Sequence, residues 1–308
     1  MAVGERTFDL YNAFVASTQI VGPEQLSIVQ QFDEVAANND GTIVEAARDR
    51  TRFSATAELT CQSIIDFDDI LALFETSAAQ TVKGEGKDVT DPTKSYLFTL
   101  NRMKMASARL TLGDGGGGGY AQASFSLVNS AAEATNSPDD EIVITNPSKT
   151  VTHSSSKRGV RIVSASFTPN GGSAIVPLAV MGLNLTIQGQ VQQTAGDDEY
   201  GKISEVAGYV MSGDLTFKDV TLATGQTVGQ RLLLATWGEL TITYKQQGGG
   251  SNGTITLRQL QFPGETMTLQ ARQFGGNALR FTQYSLSGGT EKKLASDGTP
   301  ANNLLTIA

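Results

Sequence analysis

The chain is short of the residues that carry chemistry. Its 308 residues include one cysteine (Cys61), one histidine (His153) and one tryptophan (Trp237). A single cysteine excludes an intrachain disulfide and a thiolate metal cluster. A nucleophile–histidine site has to use His153, which stands in the polar run KTVTHSSSKRG and reads as an exposed loop residue. No GxSxG elbow, HExxH helix or Cys/His ligand spacing is present. Charged residues make up 18%, against ~25% in a typical globular protein. No run approaches the ~20 apolar residues that cross a bilayer. The opening MAVGERTFDLYNAF lacks the basic-then-apolar pattern of a secretion signal, so a soluble protein made in a reducing cytoplasm is expected. With 23 Lys and Arg against 31 Asp and Glu, the net charge is −8. That balance argues against gripping a phosphate backbone, though not against a surface past which nucleic acid slides.

Short motifs do not restore a catalytic reading. Residues 196–202, GDDEYGK, have the spacing of a phosphate loop from Gly196 to Gly201 and Lys202. Ile203 stands where a hydroxyl should ligate magnesium, and Asp197, Asp198 and Glu199 repel a triphosphate. Gly113, Gly115 and Gly118 match GxGxxG, but YAQASFSLV follows and alternates like a strand where a dinucleotide motif needs a helix. A hairpin loop is the simpler reading. The pairs Asp68–Asp69 and Asp139–Asp140 sit at helix starts or turns, where acids are common for local reasons. No catalytic, cofactor-binding or metal-ligating residue is assigned, and no enzyme is expected.

What the chain has is glycine, 33 residues in all, and a spaced internal similarity. TAELTCQ (56–62) resembles SGDLTFK (212–218), with Glu58, Leu59 and Thr60 matching Asp214, Leu215 and Thr216 at an offset of 156. LFTLNRMKMASARLTL (97–112) matches TITLRQLQFPGETMTL (254–269) at 157, pairing Leu100 with Leu257, Met103 with Leu260 and Met105 with Phe262. At 159, ASFSLVNS (123–130) meets TQYSLSGG (282–289), pairing Phe125 with Tyr284 and Leu127 with Leu286. At the same offset Leu26-Ser27-Ile28 meets Leu185-Thr186-Ile187. Four blocks in one order imply a duplication, with loop insertions absorbing the drift.

Each copy reads as mostly β. Residues 52–63 alternate, with Phe53, Ala55, Ala57, Leu59 and Cys61 on one face and Arg52, Ser54, Thr56, Glu58, Thr60 and Gln62 on the other. In the second copy Tyr209, Met211, Leu215 and Phe217 oppose Ser212, Asp214, Thr216 and Lys218. A period of two with one apolar face describes a half-buried antiparallel strand. A long hairpin precedes each such strand, tipped by Asn38-Asn39-Asp40-Gly41 and by Gly196–Tyr200. One helix follows, DFDDILALFET in the first copy and TGQTVGQRLLLATWG, ending at Gly238, in the second. Two strands joined by a turn come next, at Ala106–Arg109 and Pro263-Gly264, then a glycine-rich loop and a last strand. The polar tail ends in LLTIA, and Trp237, near a helix end, is expected in the core.

The expected fold is therefore mainly β with one helix per domain (α+β): residues 1–130 form one domain, 131–174 a connection with strands at EIVIT and VRIVSASF, and 175–308 a second domain. The long-loop hairpin, the alternating strand, the single helix and closing strands of the FTLNRMKM and ITLRQLQF type resemble the tail-tube (major tail) proteins of long-tailed bacteriophages. The tube of type VI secretion systems is built on the same fold. The resemblance implies two tandem tail-tube-like β-sandwich or barrel domains, three chains per pseudo-sixfold ring, and rings stacked into a hollow tube that conducts DNA. It implies a virion location after assembly in the bacterial cytoplasm, with tape measure, baseplate and terminator proteins as partners, no membrane and no cofactor. It places Glu58, Thr60, Gln62, Asp214, Thr216 and Lys218 toward the lumen. Asn38, Asn39, Asp40, Gly41, Asp197, Asp198, Glu199 and Tyr200 become the loops that dock on the next ring. A baseplate hub, tube initiator or capping ring of the same fold, or a β-rich adhesin or carbohydrate-binding module, are the alternatives.

Overall fold

The computed structural model describes residues 8–37, 47–62, 64, 67–75, 79–89, 91, 93–113, 121–130, 142–145, 160–175, 179–195, 202–218, 227–246, 251–267, 276–283 and 291–308. Both expected hairpin tips, the glycine run, His153, Tyr284, Leu286 and Asp139–Asp140 lie outside these residues. The architecture is mainly β, and the described residues form one antiparallel network of fifteen strands. In the first half, β1 (Phe8–Val15), β2 (Thr18–Ile20), β3 (Pro23–Ala37) and β4 (Ala47–Cys61) precede helix α1 (Phe67–Glu75). Then come β5 (Gln80–Asp88), β6 (Ser95–Gly113), β7 (Gln122–Asn129) and β8 (Ile142–Thr145). In the second half, β9 (Val160–Pro169), β10 (Val180–Ala195) and β11 (Lys202–Lys218) precede helix α2 (Val228–Leu233). The half closes with β12 (Gly238–Gln246), β13 (Asn252–Met267), β14 (Gly276–Gln283) and β15 (Leu305–Ile307).

The pairing orders of the two halves run in step. The first is β3-β4-β7-β6-β5-β1, and the second is β10-β11-β14-β13-β12-β9. β8 pairs with β6 at Leu97–Leu100, as β15 pairs with β13 at Ile255–Leu257. Leu59 faces Phe125 as Leu215 faces Leu279, so in strand position Phe125 matches Leu279 and not Tyr284. Likewise Leu26 faces Leu59 and Leu183 faces Leu215, so Leu26 corresponds to Leu183 and not to Leu185. Both misplacements matched small apolar motifs on the correct face but in the wrong register, which period-two patterns permit. Strands β8 and β9 fall at the segments EIVIT and VRIVSASF of the connection, β8 pairing with β6 and β9 with β12.

One device lets a single strand serve two sheets. The turns expected at Ala106–Arg109 and Pro263-Gly264 are absent. β6 and β13 run straight through, with register shifts between Met105 and Ser107 and between Gln261 and Gly264. A bulge accommodates the extra residue, and a proline such as Pro263, without sacrificing the ladder. Just upstream, Arg102 (φ 54°) and Gln259 (φ 57°) take left-handed backbone at matching positions. Buried amides secure both kinks: Asn129 Nδ2 donates to the Asn101 carbonyl at 3.0 Å, and Gln283 Nε2 donates to the Arg258 carbonyl at 2.8 Å. Before the kink β6 lies between β5 and β8, and after it between β7 and β10. The network thereby curls over its own apolar face, so that Leu26 of β3 packs against Gly84 of β5, a strand with which β3 does not pair.

The helices close the ends of this core. α1 carries Asp68 and Asp69 in its first turn and buries Phe67, Ile70, Leu71 and Phe74, one face at helical spacing. Phe67 meets Phe125 with ring centroids 5.2 Å apart. α2 opens on a capping box, with Thr227 Oγ1 accepting from the Gln230 N–H and Gln230 Oε1 from the Thr227 N–H. It ends at Leu233, not at Gly238, which starts β12 because a Cβ there would sit 2.3 Å from the Phe167 ring. Trp237 is half-buried, outside the core. Replacing Asn129 or Gln283 by Leu orphans a kink carbonyl, so each variant should lose about 1–3 kcal/mol in urea unfolding. Arg102→Gly, which relieves the left-handed backbone, should stay within about 1 kcal/mol of the parent.

Candidate functional site: the polar face of the inner sheet and its seam

Eight strands form one continuous layer, β3-β4-β7-β6-β10-β11-β14-β13. Alternation sorts its side chains. On β4, Phe53, Ala55, Ala57, Leu59 and Cys61 are buried, while Glu58 is exposed and Thr60 and Gln62 are half-buried. On β11, Met211, Leu215 and Phe217 are buried, Asp214 and Lys218 are exposed, and Thr216 is half-buried. The six residues singled out from the sequence thus share one polar face. Gln62 also donates to the Glu24 carboxylate there.

Register extends this face across both halves. One row runs Thr60, Ser124, Arg109, Thr186, Ser212, Thr282. The next carries Asp214 opposite Asn184 on one side and Arg280 on the other. Arg109 and Arg280 are both exposed, so cations stand among the anions on this face. Arg109 had been placed in a turn; the alternation of RLTL, with Leu110 and Leu112 buried, was the signal for a strand.

The halves meet at a seam where Ser107–Gly113 of β6 pairs antiparallel with Gly182–Gln188 of β10. On its buried side Leu110 faces Leu185 and Leu112 faces Leu183. Each such leucine, removed from water, is worth roughly 1.5–3 kcal/mol. One apolar core accordingly runs through both halves. Beyond the seam the β10–β11 arm rests on the end of β7, where Ser204 Oγ donates to the Asn129 carbonyl at 2.7 Å and the Ser204 N–H donates to Ser130 Oγ at 3.2 Å.

A second attachment was invisible in the sequence. The segment 291–308, read as a polar tail, straps α1 to the second half. The Glu75 carboxylate accepts backbone N–H groups from Leu294, Ala295 and Ser296 at 2.6–2.8 Å. Asp68, in the first turn of the same helix, accepts the Ile307 N–H at 2.7 Å. The Tyr209 hydroxyl donates to the Phe74 carbonyl at 3.4 Å, and burial, with Glu75 adding, pushes its pKa up to about 12. On the β13 side, Arg258 Nη1 holds the Asn303 carbonyl and Thr306 Oγ1, both at 3.0 Å.

Burial raises the Asp68 pKa to about 6 from 3.8; the Ile307 N–H pulls it down and Asp69 pushes it up. The folded state therefore holds a proton that the unfolded chain has released, and stability falls as pH climbs from about 4 through 6. Asp68→Asn keeps the acceptor for Ile307 but does not titrate. Its stability relative to the parent should rise across that window, by up to about 3 kcal/mol at one unit per 1.36 kcal/mol, and level off above it. Urea midpoints from pH 4 to 8 measure this; a difference flat with pH contradicts it.

No helix among the described residues is long and apolar enough to cross a membrane. No known family model and no curated protein sequence matches the chain, so its function is argued from this geometry.

Proposed function

We propose that the chain is the subunit of a bacteriophage-type tail tube: two copies of one domain, arisen by duplication, of which three chains close a ring and stacked rings conduct DNA. The observation that carries this reading is the eight-stranded layer, polar on one face and shared across a seam by two halves of like strand order. A layer that already continues from one half to the next can continue from chain to chain until no edge is left, which is how a sheet becomes a barrel. Three chains of eight strands give twenty-four, and at ~4.8 Å per strand the circumference is at least ~115 Å, a bore on the order of 30 Å.

In this reading the lumen is lined by Thr60, Ser124, Thr186, Ser212 and Thr216, with Glu58 and Asp214 offsetting Arg109 and Arg280. Such a wall offers DNA no block of cations to replace its counterions, so a duplex slides without sticking. The hairpin tips dock on the next ring, heterologous contacts that extend into a filament. Nothing in the chemistry of this face requires catalysis or a cofactor.

Negative-stain microscopy of the purified protein should show hollow filaments; isolated rings point instead to a hub, initiator or cap of the same fold, and monomers that bind glycans to an adhesin. In particles carrying Glu58→Lys with Asp214→Lys, tubes should assemble while genome ejection slows. Ejection at the parental rate removes these two residues from the lumen.

A further inference from the structure

The two halves are matched in strand order but not in what covers them. In the second half Leu183, Leu185 and Ile255 are 0–1% exposed. Their first-half counterparts, Leu26, Ile28 and Phe98, are only half-buried. Together with Leu10 and Gly86 they line an open cavity of about 260 Å³. Part of the difference is an exchange within one cross-strand pair: Gly86 faces Tyr96 in the first half, and Tyr244 faces Gly253 in the second. The rest is a helix. α1 lies against the second half through Asp68 to Ile307, and the Asp68 charge helps to raise the Tyr244 pKa. Over the first half, no helix takes the matching place among the described residues, and Ile144, the counterpart of Ile307, is 57% exposed.

The missing cover has a candidate at the other end of the molecule. α2 follows β11 as α1 follows β4. Leu234, just past α2, is 73% exposed, and Leu233 beside it is 36% exposed. The strand edges repeat the pattern. β3 pairs only with β4 among the described residues, whereas its counterpart β10 also pairs with β6. Among the described residues Gly264–Met267 of β13 pairs only with β14, whereas the counterpart segment of β6 also takes β10.

We infer that a second copy of this chain docks here head to tail, its Leu233 and Leu234 covering the Leu10–Leu26–Ile28–Gly86–Phe98 groove while its β13 edge pairs antiparallel with β3. The register follows from the internal seam. Leu100 to Leu257 and Leu26 to Leu183 are both steps of 157, so Ser107 opposite Gln188 becomes Gly264 opposite Gln31, and Arg109 opposite Thr186 becomes Thr266 opposite Val29. The contact is heterologous, with unlike surfaces meeting, so it closes a ring or runs on as a chain. It rests on the like ordering of the halves and specifies the interface of the proposed ring.

The test uses the full chain. Val29→Cys with Thr266→Cys should form disulfide-linked multimers under mild oxidation, and Gln31→Cys with Thr266→Cys, two residues out of register, should link at least tenfold less. Cys61 is buried and serves as the unmodified background. Leu234→Asp, at a position exposed in the single chain, should leave circular dichroism and thermal unfolding unchanged. It should weaken association measured by sedimentation roughly tenfold or more. Equal linking by both cysteine pairs, or parental association of Leu234→Asp, overturns the interface even if hollow filaments still form. In-register linking in particles that never stack into filaments upholds the interface and removes the tube reading.

Discussion

The left-handed residue in the middle of each long strand is the constraint on which the architecture turns. At Arg102 and Gln259 the backbone adopts a conformation that L-residues disfavour by about 1 kcal/mol. A buried amide from the neighbouring strand holds each site in place. Without that break, β6 could not leave β5 and β8 for β7 and β10. The apolar faces of the two layers would then lie flat and wet instead of against each other. Two kinks thus produce a folded-over core, and the strand segment past the first kink becomes the seam that joins the halves.

Much of this was legible in composition and period. The alternation of residues 53–62 on β4 and 211–218 on β11 assigned the buried and polar side chains to their faces, because a strand packed on one side cannot slip by one residue without inverting its core. The apolar set of α1 was equally plain, since Phe67, Ile70, Leu71 and Phe74 recur at helical spacing. What failed was what depends on long-range pairing. Pro263-Gly264 looks like a reversal in isolation and becomes a bulge only because β14 runs alongside and keeps the ladder. The placement of Leu26 against Leu185, two residues out, failed for a related reason: slips of two preserve the face, and local pattern cannot see them.

The candidate site shows the same division. That Glu58 and Asp214 each lie on the polar face of their own strand follows from alternation alone. That Arg109 and Arg280 stand in the same field does not, because it depends on which strands become neighbours. Glu75 and Asp68 carried no signal at all: their partners are backbone N–H groups, which every residue but proline owns.

The strap across α1 sets an order of events. The Asp68–Ile307 bond joins residues 239 positions apart, and the three bonds to Glu75 span almost as many. Contacts of such separation form late, since a large loop must close before any stabilisation is gained. On a ribosome the first half can collapse around Phe67 and Phe125 long before the segment that covers the outer side of α1 has been synthesised. During that interval the helix presents a bare flank beside an unsealed sheet edge, the moment at which a nascent chain is most open to pairing with the wrong neighbour.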